Sequence, residues 1–165
     1  MVVAVHADFE AWVAAHEAAL LRFGYLLTGN AQAAEEAVQA ALTTAYVNWE
    51  RISEADHPDR YVRRMIANAH ISRWRRWDQR VTPVAEVRRA EAPDLAGTVA
   101  ERDAIWHVCR ALPPRQRAVV VLRFYEDLDH AEIAALLGIG ESSVRSALHR
   151  ALASMRTALS QEDAP

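Results

Sequence analysis

Apolar side chains recur three and four positions apart along most of this 165-residue chain, and no segment alternates apolar and polar residues. Spacing of three and four places apolar side chains on one side of a helix, whereas a half-buried strand requires the missing alternation. Several of the abundant residue types, including Ala, Leu, Arg and Glu, also favour helix. The sequence therefore predicts an all-α fold.

The helical spacing fades between residues 81 and 100, where two prolines interrupt the pattern. A segment of this length without structure of its own is unusual inside one compact domain. We therefore predict two helical domains, residues 1–80 and residues 101–160, joined by a flexible linker over residues 81–100.

Several classes of protein find no support in the sequence. The single cysteine, Cys109, cannot form an internal disulfide and suits a reducing compartment. No apolar run approaches the ~20 residues that span a bilayer, and the N-terminus lacks the apolar core of a signal peptide. The seven histidines are scattered without metal-ligand spacing, and no glycine-rich phosphate loop is present. We expect a cytoplasmic protein without membrane insertion, metal or cofactor, and not an enzyme.

A short basic block stands out in a chain whose net charge is −3. Residues 57–80 contain seven Arg and two Asp, a distribution typical of a surface that binds a polyanion. Arginines interleaved with aromatic rings suit single-stranded DNA, because they hold phosphates while bases stack on the rings. A solvated helix face is the alternative. The inward side is predicted to carry Val62, Met65, Ile66 and Ala69. The candidate DNA contacts are Tyr61, Arg63, Arg64, Asn68, Ser72, Arg73, Arg75 and Arg76.

The strongest local pattern is LDHAEIAALLGIGESSVRSALHRAL, residues 128–152. Asp129 and Glu132 predict a capping box at the start of a short helix, and Gly138 predicts its left-handed end. A second helix follows, which is the layout of a helix-turn-helix, whose second helix reads base edges. An ordinary helical hairpin is the alternative for this segment alone. The candidate contacts are Arg115 and Arg117, for phosphates, and Ser142, Ser143, Arg145, Ser146, His149 and Arg150, for bases.

Four segments, in this order, resemble the extracytoplasmic-function group of the sigma-70 family, and within it the actinobacterial sigma-E-like branch. They are LLRFGYLLTGNAQAAEEAVQAAL (20–42), PDRYVRRMIANAHISRWRR (58–76), ALPPRQRAVVVLRFYEDL (111–128) and the helix-turn-helix. The resemblance implies an RNA polymerase sigma factor, which binds core polymerase and directs promoter recognition and melting of the −10 element.

The resemblance also implies a role for each domain. Residues 1–80 correspond to sigma region 2, in which Glu35, Glu36 and Gln39 dock on the β′ clamp helices and the basic helix reads the −10 element. In the family a flipped base is captured beside that helix, and the pocket that binds the base offsets the cost of flipping it. Residues 101–160 correspond to region 4, which reads the −35 element. Promoter DNA, the polymerase β and β′ subunits and an anti-sigma factor are the partners that the resemblance implies.

The sequence departs from the family pattern at a few positions. Ala40 stands at a position where members of the family often have an acidic residue, and this change predicts weaker docking on the polymerase. Gly140 and Glu141 begin the recognition helix, and Ala147 replaces a residue that is often basic; these changes predict weaker −35 binding. The alternative function is a free-standing helix-turn-helix regulator, which binds duplex DNA without polymerase, usually as a symmetric dimer. That interpretation leaves the basic helix and the linker unexplained.

Overall fold

The structure, a computed structural model, describes the backbone of residues 2–78 and 100–162 and the side chains of residues 4–73 and 106–161. The described residues lie in helices or in the turns between them, and none of them lies in a strand. The predicted all-α fold is confirmed. The predicted linker falls outside the described residues, apart from Ala100, which begins a helix.

The described residues form eight helices. Four lie in the first half of the chain: α1 (Val2–Thr28), α2 (Ala31–Val47), α3 (Trp49–Ser53) and α4 (Pro58–Asp78). Four lie in the second half: α5 (Ala100–Ala111), α6 (Pro114–Phe124), α7 (His130–Leu137) and α8 (Glu141–Glu162). The chain divides into two compact units, which contain, among the described residues, 2–25 with 30–78 and 26–29 with 100–162.

In the first unit α2 packs along α4. Asn30 caps the start of α2, because its side chain accepts a hydrogen bond of 2.9 Å from the backbone N–H of Ala33. The helix α1 approaches α2 closely at Gly24, where an added Cβ would lie 3.3 Å from Cγ2 of Val38 and 3.4 Å from Cβ of Ala34. The buried side chains of the four helices of this unit include Leu20, Phe23, Ala37, Ala41, Ala45, Ile52, Val62 and Ile66.

Two details predicted for this unit are wrong. The apolar spacing places Trp49 on the inward side of the second helix; Trp49 is buried as expected, but it begins α3, because α2 ends at Val47. On α4, Met65 and Ala69 of the predicted inward stripe are only half-buried, and Ala67 and Ile71 are buried with Val62 and Ile66. The reason is tertiary: α4 contacts both α2 and α3, so its buried side follows two neighbours rather than one stripe.

In the second unit α5, α6 and α7 all pack against α8. The predicted capping box is present, with Glu132 N–H donating to Oδ1 of Asp129 at 2.8 Å and Asp129 N–H donating to Oε2 of Glu132 at 3.0 Å. Gly138 ends α7 in the left-handed conformation with φ of 65°, as predicted. Cys109 lies in this core, and burial raises the pKa of its thiol despite the nearby charge of Arg117.

Candidate nucleic-acid interface

One side of α4 is polar and exposed. Tyr61, Arg64, Asn68 and Ser72 follow one another at spacings of three and four residues, and all four side chains are exposed. Val62 and Ile66, which lie away from this row, are fully buried, so α4 is fixed with the row facing outward. The row offers a ring, a guanidinium, an amide and a hydroxyl, which are groups that can stack on bases and bond phosphates or base edges.

The arginines predicted on α4 do not share one environment. Arg63 is half-buried, and its Nη1 donates to Oδ2 of Asp59 at 2.8 Å. Burial raises the pKa of Asp59, but the hydrogen bond and positive charge of Arg63 outweigh it, so the pKa lies below its usual value. Arg73 is exposed and pairs with a carboxylate of α2. The side chains of Arg75 and Arg76 lie outside the described ones.

The carboxylate that binds Arg73 is Glu36, one of the residues predicted to dock on the polymerase. Gln32 also donates to Oε1 of Glu36 at 3.2 Å. The other two predicted docking residues, Glu35 and Gln39, are four positions apart on α2 and exposed. The structure therefore leaves these two facing outward and brings Glu36 together with a candidate DNA contact.

Arg51 of α3 is a candidate contact that no sequence pattern indicates. Its Nη2 donates to Oη of Tyr61 at 3.2 Å, and its Cζ lies 5.9 Å from the centre of the Tyr61 ring. The two residues are ten positions apart on different helices, so no helical spacing connects them. Only the turn between α3 and α4 brings them together.

The six side chains predicted to contact bases lie on the first turns of α8, and all six are exposed. They are Ser142, Ser143, Arg145, Ser146, His149 and Arg150. The carbonyl of Gly140 starts α8 by accepting from the backbone N–H groups of Ser143 and Val144 at 3.0 and 3.1 Å. Nη1 of Arg145 lies 3.7 Å from Oε2 of Glu141. Glu141, one of the departures from the family pattern, therefore lies beside the candidate guanine contact.

Arg115 and Arg117 differ in exposure. Arg115 is exposed, whereas Arg117 is half-buried and its Nη1 donates to the carbonyl of Arg110 at 3.0 Å. Ala147 is buried on the inner side of α8 with Val144 and Ala151. Ala147 therefore lies on the packed side of α8 and not on the face that carries the candidate base contacts, and its expected effect on −35 binding stays a prediction.

Comparison with known proteins accounts for both units. The model of sigma-70 region 2 matches residues 12–80, and the model of sigma-70 region 4 matches residues 102–155. The RNA polymerase sigma-E factor of Streptomyces avermitilis is 34% identical over 156 residues, which cover 94% of this chain and 87% of the relative. The chain belongs to the extracytoplasmic-function group of the sigma-70 family. The predicted family and the predicted function as an RNA polymerase sigma factor are both confirmed.

Other relatives of this sigma factor agree. The ECF RNA polymerase sigma factor SigL of Mycobacterium tuberculosis is 33% identical, with 88% of this chain and 85% of the relative covered. The solved structure of the sigma factor RpoE in complex with the anti-sigma factor NepR, from Bartonella quintana, matches with a TM-score of 0.64 at 20% identity. That match covers 93% of this sigma factor and 97% of the solved chain, and it shows the same fold.

Neither a metal-binding cluster nor a membrane-spanning helix is found among the described residues of this sigma factor. No three His, Cys, Asp or Glu side chains among them are grouped closely enough to hold a metal ion. Of the helices within residues 2–78 and 100–162, none has the length and apolar character to cross a membrane.

Proposed function

We propose that this sigma factor binds core RNA polymerase and brings two helices to a promoter, α4 to the −10 element and α8 to the −35 element. The observation that carries the proposal is the exposed row of Tyr61, Arg64, Asn68 and Ser72 on α4, within the unit that matches sigma region 2. The similarity to the RNA polymerase sigma-E factor of Streptomyces avermitilis extends over most of both proteins, which supports the same assignment.

At the −10 element the residues of α4 act on an opened strand. The amide of Asn68 can donate to and accept from one base edge, which makes it the candidate for base selection. Arg64 and Arg73 hold phosphates, and the ring of Tyr61 offers a stacking surface. Flipping a base out of the duplex costs a few kcal/mol, and contacts made only with the flipped base offset that cost. Recognition and melting are thereby coupled.

At the −35 element α8 enters the major groove of intact duplex. Arg145 is the candidate for a bidentate contact with guanine, and Ser142, Ser143 and Ser146 can donate to or accept from several bases. Arg115, from α6, holds a phosphate and fixes the orientation of the helix. Glu141 favours the start of α8 through the helix dipole but repels phosphate, so this unit alone binds weakly.

The remaining partners follow from the family. Glu35 and Gln39, exposed on α2, contact the β′ clamp helices, with Glu36 beside them, and region 4 contacts the β subunit. An anti-sigma factor is a further partner, by analogy with the Bartonella quintana sigma factor solved with NepR. We place the protein in the cytoplasm with its polymerase and DNA. It supplies recognition and no catalytic chemistry, metal or cofactor of its own.

A free-standing helix-turn-helix regulator accounts for α7 and α8 alone. It does not account for the match to sigma region 2 over residues 12–80, or for the exposed arginines of α4. It also predicts duplex binding by the isolated protein, whereas a sigma factor depends on the polymerase to hold its two DNA-binding domains at the right spacing.

Run-off transcription tests the proposal. Purified protein is mixed with core polymerase and with template carrying the promoter of its own gene, and the RNA is sized on a gel. We expect a discrete transcript that requires the protein, and no shift of the same duplex by the protein without polymerase. Absence of a transcript, together with a duplex shift by the protein alone, would favour the free-standing regulator.

A further inference from the structure

The first turn of α8 carries an acidic and a basic side chain next to each other. Glu141 and Arg145 are four positions apart, and Nη1 of Arg145 lies 3.7 Å from Oε2 of Glu141. The side chains of Arg145 and Glu141 are 59% and 53% exposed. Both charged groups are therefore open to a ligand that approaches the start of this helix.

The backbone that carries this pair is fixed by hydrogen bonds and by burial. The carbonyl of Gly140 accepts from the backbone N–H groups of Ser143 and Val144 at 3.0 and 3.1 Å, which closes the first turn of α8. Val144 is fully buried, and Ala147 and Ala151 are buried one and two turns later. The acid and the arginine therefore project from an anchored helix and not from a loop.

The two charged groups do not use each other's hydrogen bonds. Their separation of 3.7 Å lies beyond hydrogen-bond range, and water and salt weaken an exposed ion pair of this kind. The guanidinium and the carboxylate can therefore both bond a ligand at the same time. Neighbouring nucleotides of one DNA strand follow each other at about 3.4 Å along the helix axis. The spacing of the pair thus suits two adjoining base pairs.

A carboxylate only accepts hydrogen bonds, and this restricts the base that it can face in the major groove. Guanine presents two acceptors there, and thymine presents one acceptor and a methyl group. Adenine presents an amino donor with the acceptor N7 beside it, which repels the second carboxylate oxygen. Cytosine presents the N4 amino group and no acceptor of its own. It is therefore the base that best fits the carboxylate of Glu141.

We propose that Glu141 is a specificity-determining residue that reads a cytosine of the −35 element, in the base pair adjoining the guanine read by Arg145. Its carboxylate accepts from N4 of the cytosine, while the guanidinium of Arg145 donates to O6 and N7 of the guanine. At any other base the carboxylate meets an acceptor, so the acid disfavours wrong sequences and lowers overall affinity. This assignment rests on the proposed function, because it requires α8 to enter the major groove.

The test measures binding of the holoenzyme to every single substitution of the −35 element. The full chain is assembled with core polymerase, and the promoter of its own gene is varied one base pair at a time through all four possibilities. Competition against the labelled natural promoter gives the relative Kd of each duplex at one fixed salt concentration. A change that only disturbs the fold weakens every duplex by the same factor. Base preference at a single position therefore reports a direct contact.

We expect the wild-type protein to prefer cytosine about tenfold at one position, next to the guanine whose substitution Arg145→Ala no longer senses. Glu141→Gln should move this preference to adenine, because an amide pairs with both N6 and N7 of that base. Glu141→Ala should abolish the preference and tighten binding to the other duplexes, because the charge that repels phosphate is lost. The matched control is Asp127→Asn. Oδ1 of Asp127 lies 3.5 Å from Nη1 of Arg123 but outside α8, and Asn tolerates its φ of 55°, so this variant should keep the wild-type preferences.

The proposal fails if Glu141→Gln and Glu141→Ala tighten binding to every duplex by one common factor, since the acid would then only repel phosphate. It also fails if the wild-type holoenzyme shows no cytosine preference beside the position that Arg145 senses. In both cases transcription by the wild-type protein from its promoter leaves the sigma-factor assignment standing. Failure of the wild-type holoenzyme to transcribe would instead count against the proposed function. Far-UV circular dichroism of every variant confirms that the helices are retained.

Discussion

At the scale of single residues, two arginines of the candidate −10 surface already bind carboxylates of their own unit. Arg63 is paired with Asp59 one turn earlier on α4, and Arg73 is paired with Glu36 across from α2. Partly exposed pairs of this kind contribute at most about 1 kcal/mol, because water and salt screen the charges. They orient the arginines without holding them so firmly that a phosphate could not replace the carboxylate.

The pair of Glu36 and Arg73 yields a prediction about stability. Glu36→Gln and Arg73→Gln should each lower the free energy of unfolding by up to about 1 kcal/mol, because either change removes the same interaction. The double variant should lose no more than the larger single loss, since its second change has nothing left to remove. Urea unfolding followed by circular dichroism measures all four proteins.

The same variants separate stability from polymerase binding. If Glu36 also docks on the clamp helices, Glu36→Gln weakens binding to core polymerase while Arg73→Gln does not. A double variant whose loss equals the sum of the two single losses would contradict the pairing. The matched comparison is Glu35→Gln, on the exposed side of α2, which should leave the free energy of unfolding unchanged.

At the scale of helices, local sequence specifies the ends more reliably than the buried sides. The capping box of Asp129 and Glu132 and the left-handed Gly138 depend on residues that are adjacent in sequence, so both can be read without knowing the fold. The buried side of α8 cannot be read from the sequence in this way. It consists of Val144, Ala147, Ala151 and Met155. The helical spacing of apolar residues predicts Leu148, Leu152 and Leu159 on the inward side, but all three are half-buried. Small residues lie innermost because three helices converge on α8.

Two glycines of the helix-turn-helix give a prediction at this scale. Gly138 has φ of 65°, which costs an L-residue roughly 1 kcal/mol, so Gly138→Ala should lower the free energy of unfolding by about that amount. Gly140 has no positive φ, and a Cβ there would meet only Oγ of Ser142, at 3.7 Å. Gly140→Ala is therefore the matched control and should cost little.

Thermal unfolding of the two glycine variants decides this point. We expect a clearly lower Tm for Gly138→Ala and a Tm close to that of wild type for Gly140→Ala. An equal loss of Tm in both variants would contradict this prediction, because it would show that the positive φ of Gly138 is not the cause of the loss. Gly140 directly precedes the recognition helix, so the stability of Gly140→Ala also shows whether this departure from the family pattern affects stability.

At the scale of the whole molecule, the order of helices and the two-part division could be predicted because each depends on patterns within short windows. The pairs of Arg51 with Tyr61 and Glu36 with Arg73 could not, since they join residues from different helices that no spacing relates. The exposed candidate residues on α4 and α8 could thus be listed from the sequence, although Arg63 and Arg117 of the predicted set are half-buried. The electrostatics of the candidate site could not be predicted, because the packing of α2, α3 and α4 decides which arginines pair with a carboxylate.

The division into two units predicts separable effects on the two promoter elements. Asn68→Ala removes an exposed amide from α4, and Arg145→Ala removes an exposed guanidinium from α8. Each should cost about 1–3 kcal/mol of promoter binding by the holoenzyme if it reads a base. The first loss should disappear on templates with a scrambled −10 element, and the second on templates with a scrambled −35 element. Since the two residues belong to different units and share no base, the losses should add in the double variant. Open-complex formation on the three templates measures this, and an equal loss on every template would show that both residues contact only phosphate.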